Sequence, residues 1–276
     1  MHTPNRSGWP QFARLVSIAQ LGIVALLALP FSPMQAQVAF DRDAILLVPG
    51  ETTADVTRFT VRNTGTVELE ATVRLEDWSV DEQGQSHWRA NGRMPQSCRG
   101  RVSVSPGVVR LGPGEQRTVH VTVNDGARFD AECWTAAVVQ PTRLAARPFS
   151  VERTVMTRAS VPVYVTPRGL AASGTMSAIV VRGDSVDLLF TNTGRTRADI
   201  VGVLQVRAAD NTVVHSTPLA EGTVLAGGTR RYRVPMPPLP PGRFTLLGIV
   251  DFGGDAMAAA QAAVEIPRTR ALAHSR

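Results

Sequence analysis

Lysine is absent from this 276-residue sequence, and all 29 basic residues are arginine. That usage reads as a record of genomic base composition, because no basic block with interleaved aromatics accompanies it. Nucleic acid is therefore not an expected partner. Histidine is scarce: His2, His87, His120, His215 and His274 are all there are, and none stands at metal-ligand spacing from another histidine or a cysteine. There is no Cys-x-x-Cys pair, nucleophile elbow, phosphate-cradling glycine loop or dinucleotide fingerprint. These absences argue against metal, redox and nucleotide chemistry. The expectation is a protein that is not an enzyme and uses no cofactor.

Long apolar runs are also lacking, except at the start. Arg6 and Arg14 precede the run Leu15–Leu29, then come Pro30 and the small-residue end Met34-Gln35-Ala36. A basic start, a short apolar core and a helix-breaking proline describe a secretory signal over residues 1–36, cut after Ala36. The run is short against the about 20 residues of a membrane span; an uncleaved anchor is the alternative. No later stretch is long enough to cross a bilayer, so no span is expected after cleavage. The remaining Gln37–Arg276 has 27 arginines against 23 acidic residues and is long enough for two domains. Its two cysteines, Cys98 and Cys133, lie 35 positions apart in a chain marked for export and read as one disulfide.

What the chain does have is a pattern that occurs twice. Phe59–Gly65 reads F-T-V-R-N-T-G and Leu188–Gly194 reads L-L-F-T-N-T-G, each an apolar strand ending in Asn-Thr-Gly. Later, L-G-P-G-E-Q-R-T-V from Leu111 and L-A-G-G-T-R-R-Y-R-V from Leu225 each give a Leu, a Gly-rich turn and a basic strand. Two domains of one kind follow. The Asn-to-Leu distance is 48 residues in the first half and 33 in the second. The surplus falls around Asp81–Arg101, where Cys98 would pin it to the strand carrying Cys133.

Periodicity is two throughout. Leu69, Ala71, Val73 and Leu75 alternate with polar residues, as do Val119, Val121, Val123 and Val186, Leu188, Phe190, and Gly- and Pro-rich turns separate the runs. Many short strands with regular turns predict an all-β chain of β-sandwiches. At Ala256–Ala263 a helix competes, but the stretch follows Phe244–Val250 across Gly253-Gly254 and reads as the last strand. Asp77, Asp81 and Glu82 around Gly84 weigh as a loop calcium site against a plain solvated turn. Arg230, Arg231 and Arg233, with Arg195 and Arg197, weigh as a docking surface against a solvated strand face. Trp78, Trp88 and Trp134 are expected to pack together near the disulfide.

Val151–Val165 alternates for fifteen residues, roughly 50 Å of extended chain. That exceeds what one sandwich uses. Either it is the last strand of the first domain running into an elbow at Pro167-Arg168-Gly169, or one end lies along an open edge. An apolar-alternating edge invites another strand.

Val38–Asp41 with Arg42, Leu69–Asp77 with Trp78, Ser105-Pro106 through Gln116, and Val151–Pro167 together carry a resemblance to the periplasmic pilus-assembly chaperones (PapD-like). The most specific piece is Ser-Pro, Arg110-Leu111, then Pro113-Gly114 and a polar pair before a strand. The resemblance covers most of the first half, while the second fits in layout. It implies two tandem immunoglobulin-like sandwiches: a first domain at 37–166, a second at 167–268 and a flexible tail at 269–276. It further implies a periplasmic chaperone lending its seventh strand to secreted pilus-like subunits, with an outer-membrane usher as a further partner. Carried over, the partner-binding residues are Val151, Arg153, Val155, Thr157, Ala159 and Val161. Arg153 and Thr157 stand where the family has large apolar plugs. Ala44 and Pro162 occupy the positions of the family's basic pair for a terminal carboxylate, which makes nearby Arg42 and Arg158 the candidate anchor. The competing reading is a structural or adhesive module that completes its own sheets. A carbohydrate-binding domain comes third, with only Trp88 as a candidate exposed aromatic.

Overall fold

The computed structural model describes residues 35–36, 38–50, 56–124, 127–144, 155–156, 158–177 and 179–267. The described residues form strands and turns without a helix. In the first half the strands are β1 (Gln35–Ala36), β2 (Val38–Phe40), β3 (Ile45–Leu47), β4 (Val56–Asn63), β5 (Leu69–Val80), β6 (Ser86–Ala90), β7 (Val102–Ser105), β8 (Val108–Leu111), β9 (Gln116–Val123), β10 (Cys133–Leu144), β11 (Val155–Met156) and β12 (Ala159–Val165). In the second half they are β13 (Gly174–Met176), β14 (Val180–Arg182), β15 (Ser185–Asn192), β16 (Ala198–Ala208), β17 (Val213–Pro218), β18 (Gly222–Val224), β19 (Thr229–Pro235), β20 (Gly242–Asp251) and β21 (Ala258–Ile266). The Ala-rich stretch is thus a strand, paired with β20 over nine residues.

Each half is a sandwich. In the first, the sheet β3-β12-β10-β5-β6, with β8 also on β5, faces the sheet β2-β4-β9-β7. Alternation sends Phe59, Val61, Leu69, Val119, Val139 and Val163 into the space between them, where they are fully or almost fully buried. In the second, β17-β16-β20-β21 faces β15 with its neighbours β13, β14 and β19, around Leu188, Phe190, Leu204 and Leu246.

The repeated Asn has the same task in both sandwiches. Asn63 closes β4 with its side chain buried, donating to the carbonyls of Val67 (2.7 Å) and Leu111 (3.0 Å) and accepting from the Gly65 N–H (2.9 Å). Asn192 closes β15 in the same way, donating to Thr196 and Val224 at 2.9 Å each and accepting from Gly194 at 2.9 Å. One side chain thereby satisfies backbone groups of two turns that would otherwise be buried without partners. Asn63→Ala or Asn192→Ala should each cost about 2–3 kcal/mol in urea unfolding, because the carbonyls left behind stay buried. A cost near zero would mean that water reaches them.

The bond to Val224 also corrects the alignment of the repeats. Val224, not Leu225, is the structural equivalent of Leu111, since Gly114 and Gly227 donate to Asn63 and Asn192 from matching places. Leu225 is released to another role, described below.

Cys98 and Cys133 form a disulfide across 35 residues of sequence. It ties the segment after β6 to the start of β10, next to a bridge between Ser97 and Trp134. In the chain-entropy picture, closing a loop of that size stabilises the fold by about 3–4 kcal/mol. The double variant Cys98→Ala/Cys133→Ala should lose that much in urea unfolding. A loss under about 1 kcal/mol would show that the neighbouring hydrogen bonds already hold the segment.

Asp77, weighed above as part of a calcium site, is one of those neighbours. It is buried and accepts from the Arg93 N–H (2.8 Å), the Met94 N–H (3.0 Å) and the Ser97 hydroxyl (2.7 Å). Asp81 is likewise engaged by the Gln83 and Gln85 N–H groups and by His87. These carboxylates organise turns, and no cluster of metal-binding side chains occurs among the described residues.

Candidate functional site

The first strand of the chain changes sheets. Val38–Phe40 pairs with β4 in one sheet, whereas Ile45–Leu47 pairs in parallel with Val163–Val165 of β12 in the other. The crossing is made by exposed Asp41-Arg42-Asp43-Ala44. Asp41 fixes the departure point by accepting from the Thr60 N–H at 2.8 Å, which also holds its carboxyl below the ordinary range. Three consecutive charged residues cannot follow the apolar strands into the core, so the backbone leaves one sheet before it joins the next.

The sheet change leaves an edge. β12 pairs with β10 along its full length, from Val165 opposite Cys133 to Ala159 opposite Val139. On its other side β3 reaches only Val163–Val165. Among the described residues no strand pairs with Ala159–Pro162 on that side. Further back, Gln35↔Val155 and Ala36↔Met156 form a two-residue parallel ladder. The N-terminal segment thus touches this edge at both ends and departs from it in between.

The residues expected to bind a partner separate accordingly. Val151, Arg153 and Thr157 lie outside the described residues, and for Val155 the backbone alone is described. Val161 is 1% exposed in the first sandwich's core, and Ala159 is half-buried. The structure therefore gives Val161 a packing role. The open edge is lined by the backbones of Ser160 and Pro162, because the Thr166 N–H goes to the Leu47 carbonyl and alternation turns the backbone groups of Ala159 and Val161 toward β10.

Nor does the structure join Arg42 to Arg158. Arg42 faces its neighbour Asp41 at 3.8 Å. Arg158 lies 4.4 Å over the Trp88 ring and ion-pairs with Glu76 at 2.7 Å, and the Glu76 carboxylate also takes Arg74. Arg158 is on the same face of the strand as Ser160, Pro162 and Tyr164, the side turned away from the core. Its charge is already met by a carboxylate of its own chain.

That outward face carries the contact between the two sandwiches. Trp134, Ala136 and Val138 of β10, with Trp78 and Tyr164, cluster with Leu225 of the second half. Trp78 and Trp134 interlock, each indole N–H donating to backbone near the other, at 3.1 Å to Thr135 and 2.9 Å to Trp78. Trp88 stacks outside Trp78 at 6.4 Å between ring centroids. β10 is consequently buried on both faces, which is why Cys133–Val139 reads as a nearly continuous apolar run.

Sequence reasoning passed over the polar centre of this contact. The Glu132 side chain is fully buried and reaches across to the second sandwich. Its carboxylate meets Arg197 Nη1 (2.7 Å), the hydroxyls of Thr166 (2.6 Å) and Thr196 (3.0 Å), and the Arg197 N–H (3.0 Å). Arg197 also lies 4.5 Å over the Tyr164 ring, whose hydroxyl is pushed up to about 12 by burial. A second clasp joins Glu82 to Arg231, through the Arg231 N–H to the Glu82 carbonyl (2.7 Å) and through their side chains (2.6 Å). Arg197 and Arg231 therefore act in the contact, and the expected basic surface of five arginines divides.

No protein-family model and no curated protein matches the sequence. Solved structures do resemble this chain in fold. A class 5 fimbriae chaperone, CfaA, superposes with a TM-score of 0.52 at 11% identity, over 84% of this chain and 100% of that one. A chain of a chaperone–tip adhesin complex of CFA/I fimbriae biogenesis gives 0.50 at 10% identity, again over 84% and 100%. On a sequence far diverged from theirs, this chain has the two-sandwich, immunoglobulin-like fold of the fimbrial chaperones.

Proposed function

We propose that this protein is a periplasmic, non-enzymatic chaperone that binds secreted pilus-like subunits by accepting their strands along the edge of β11 and β12. The carrying observation is the stretch Ala159–Pro162, which has no strand paired on its outer side among the described residues because the chain crosses between sheets from β2 to β3. Free N–H and C=O groups on an ordered strand pair with any extended chain that supplies the complementary row. The subunit-facing side chains in this reading are Val151, Arg153, Val155, Thr157 and Ala159; Val161 serves the core. Boundaries at 37–166 and 167–268 belong to the same reading, as does an outer-membrane usher that receives the loaded chaperone. The similarity in fold to a chaperone solved with a tip adhesin supports it.

The ladder at Gln35–Ala36 favours a second reading, a module that completes its own sheet. The two readings divide at the signal. Cutting after Ala36 removes β1 and frees the backbone of Val155–Met156, whereas retention keeps that edge covered. The test is to purify the exported protein from the periplasm by a C-terminal tag, with the neighbouring genes co-expressed, and to identify by mass spectrometry what accompanies it. A stoichiometric small secreted partner that precipitates without this protein is the expected result. A clean monomer with nothing bound would overturn the chaperone and leave the self-completed module.

A further inference from the structure

We propose that the second sandwich carries a separate docking groove, between β17 and β19, for an extended acidic segment of a partner protein. The groove has a volume of about 640 Å³ and opens between two strands that are each at the edge of a sheet. Leu219, Tyr232 and Val234 form its apolar floor, and Ala220 lies exposed at its rim. Its charged lining is of one sign: Arg230, Arg231 and Arg233, with no carboxylate among the lining residues.

The sequence Thr-Arg-Arg-Tyr-Arg-Val places these charges along one short strand, and the structure shows how each is used. Arg233 and Arg231 share Asp187, at 2.8 and 3.6 Å, and Arg182 approaches the same carboxylate from β14 at 3.0 Å. Three guanidiniums on one carboxylate leave an excess of positive charge behind the groove, only partly met by Glu82 on Arg231. Arg233 remains 63% exposed despite its pairing. Arg230 lies 6.0 Å from the Tyr232 ring centre and has no ion-pair partner among the described residues. Arg230 is also packed against Gly84 of the first sandwich, where an added Cβ would strike its guanidinium.

Backbone geometry adds directionality. β19 pairs with β15 on one side only. The Arg231 N–H, which points to the opposite side, is already given to the Glu82 carbonyl. By alternation the N–H and C=O of Arg233 emerge on that same open side. The free length Tyr232–Pro235 spans about 13 Å of extended chain. It fits three or four residues of a partner, with one carboxylate against the exposed Arg233 and another, at the end of the segment, against Arg230, three positions back and on the other face of the strand. Charge-assisted bonds to guanidinium favour carboxylates over neutral polar groups.

The test uses the exported full chain and a fluorescein-labelled heptapeptide, Glu-Thr-Glu-Val-Asp-Thr-Glu, followed by fluorescence anisotropy at low salt. The same peptide with every acid replaced by its amide is the control. Saturable binding of the acidic peptide alone is expected, weakened about tenfold by Arg230→Gln, the loss of one charge-assisted contact. Ala220→Trp, which narrows the groove and leaves the arginines in place, should weaken it as well. Equal binding of both peptides, or affinity unchanged in both variants, overturns the proposal. A single-stranded oligonucleotide that competes as well as the acidic peptide would also overturn it, by showing a general polyanion surface. No subunit enters the assay, so its failure leaves the reading of β12 untouched.

Discussion

Glu132→Ala should lower the unfolding free energy of the protein by about 3–5 kcal/mol, the cost of stranding a mostly buried guanidinium. Arg197 is 17% exposed at its side chain and Glu132 is fully buried, so solvent cannot take over the lost partner. The Thr166 and Thr196 hydroxyls and the Arg197 N–H lose their acceptor in the same step. Glu132→Gln retains the shape and part of the hydrogen bonding, and should cost less. The double variant Glu132→Met/Arg197→Met should recover most of the loss, because an apolar pair of similar volume removes both charges together. Urea unfolding monitored by tryptophan fluorescence measures all three. The indoles of Trp78 and Trp134 sit in the contact between the sandwiches. A loss of the clasp should therefore also broaden the transition, or divide it in two as the halves uncouple. A Glu132→Ala protein within about 1 kcal/mol of the parent would mean that the apolar cluster alone holds the contact.

Val155→Asp should abolish capture of secreted subunits while leaving the thermal midpoint of the mature protein unchanged. Val161→Asp should do the reverse of a selective lesion and unfold the first sandwich. The two residues occupy one alternating segment six positions apart, but Val161 is 1% exposed in the core. An unpaired carboxylate there should cost more than about 4 kcal/mol. Co-purification with the subunit and a thermal melt, run on both variants, separate the cases. A Val155→Asp protein that still captures its partner would remove β11 from the binding edge. One that melts far below the parent would instead make Val155 part of the core and favour the self-completed module.

What was legible in the sequence follows physical lines. The Asn-Thr-Gly repeat was readable because one residue type sets a local turn and, by reaching across, a distant one. Its partner was misplaced by a single position, Leu225 for Val224, because both are apolar and the Gly-rich turns that follow match in length but not in sequence. Strand alternation exposed Leu69, Val73 and Val119 as core, but it cannot say what covers a strand's second face. The run Trp134–Val138 therefore showed burial without showing that the cover is the other sandwich. Glu132 gave one faint signal, an acid directly before an apolar strand, and its partner lies 65 residues away. Arg42 and Arg158 were chosen for proximity in sequence. Glu76, which meets Arg158, enters from β5, and pairing register is what a linear reading lacks.

β10 is fixed from every side: the core and the second sandwich cover its faces, β5 and β12 flank it, and the disulfide anchors its first residue. β12 shares seven consecutive residue pairs with it and inherits that rigidity. A strand that adds to β12 thus meets a template whose conformational entropy was already given up when the protein folded. The ordering cost of association falls on the incoming chain alone. Differences in affinity between strands that add there should then track how readily each one extends, with the template contributing the same term to all.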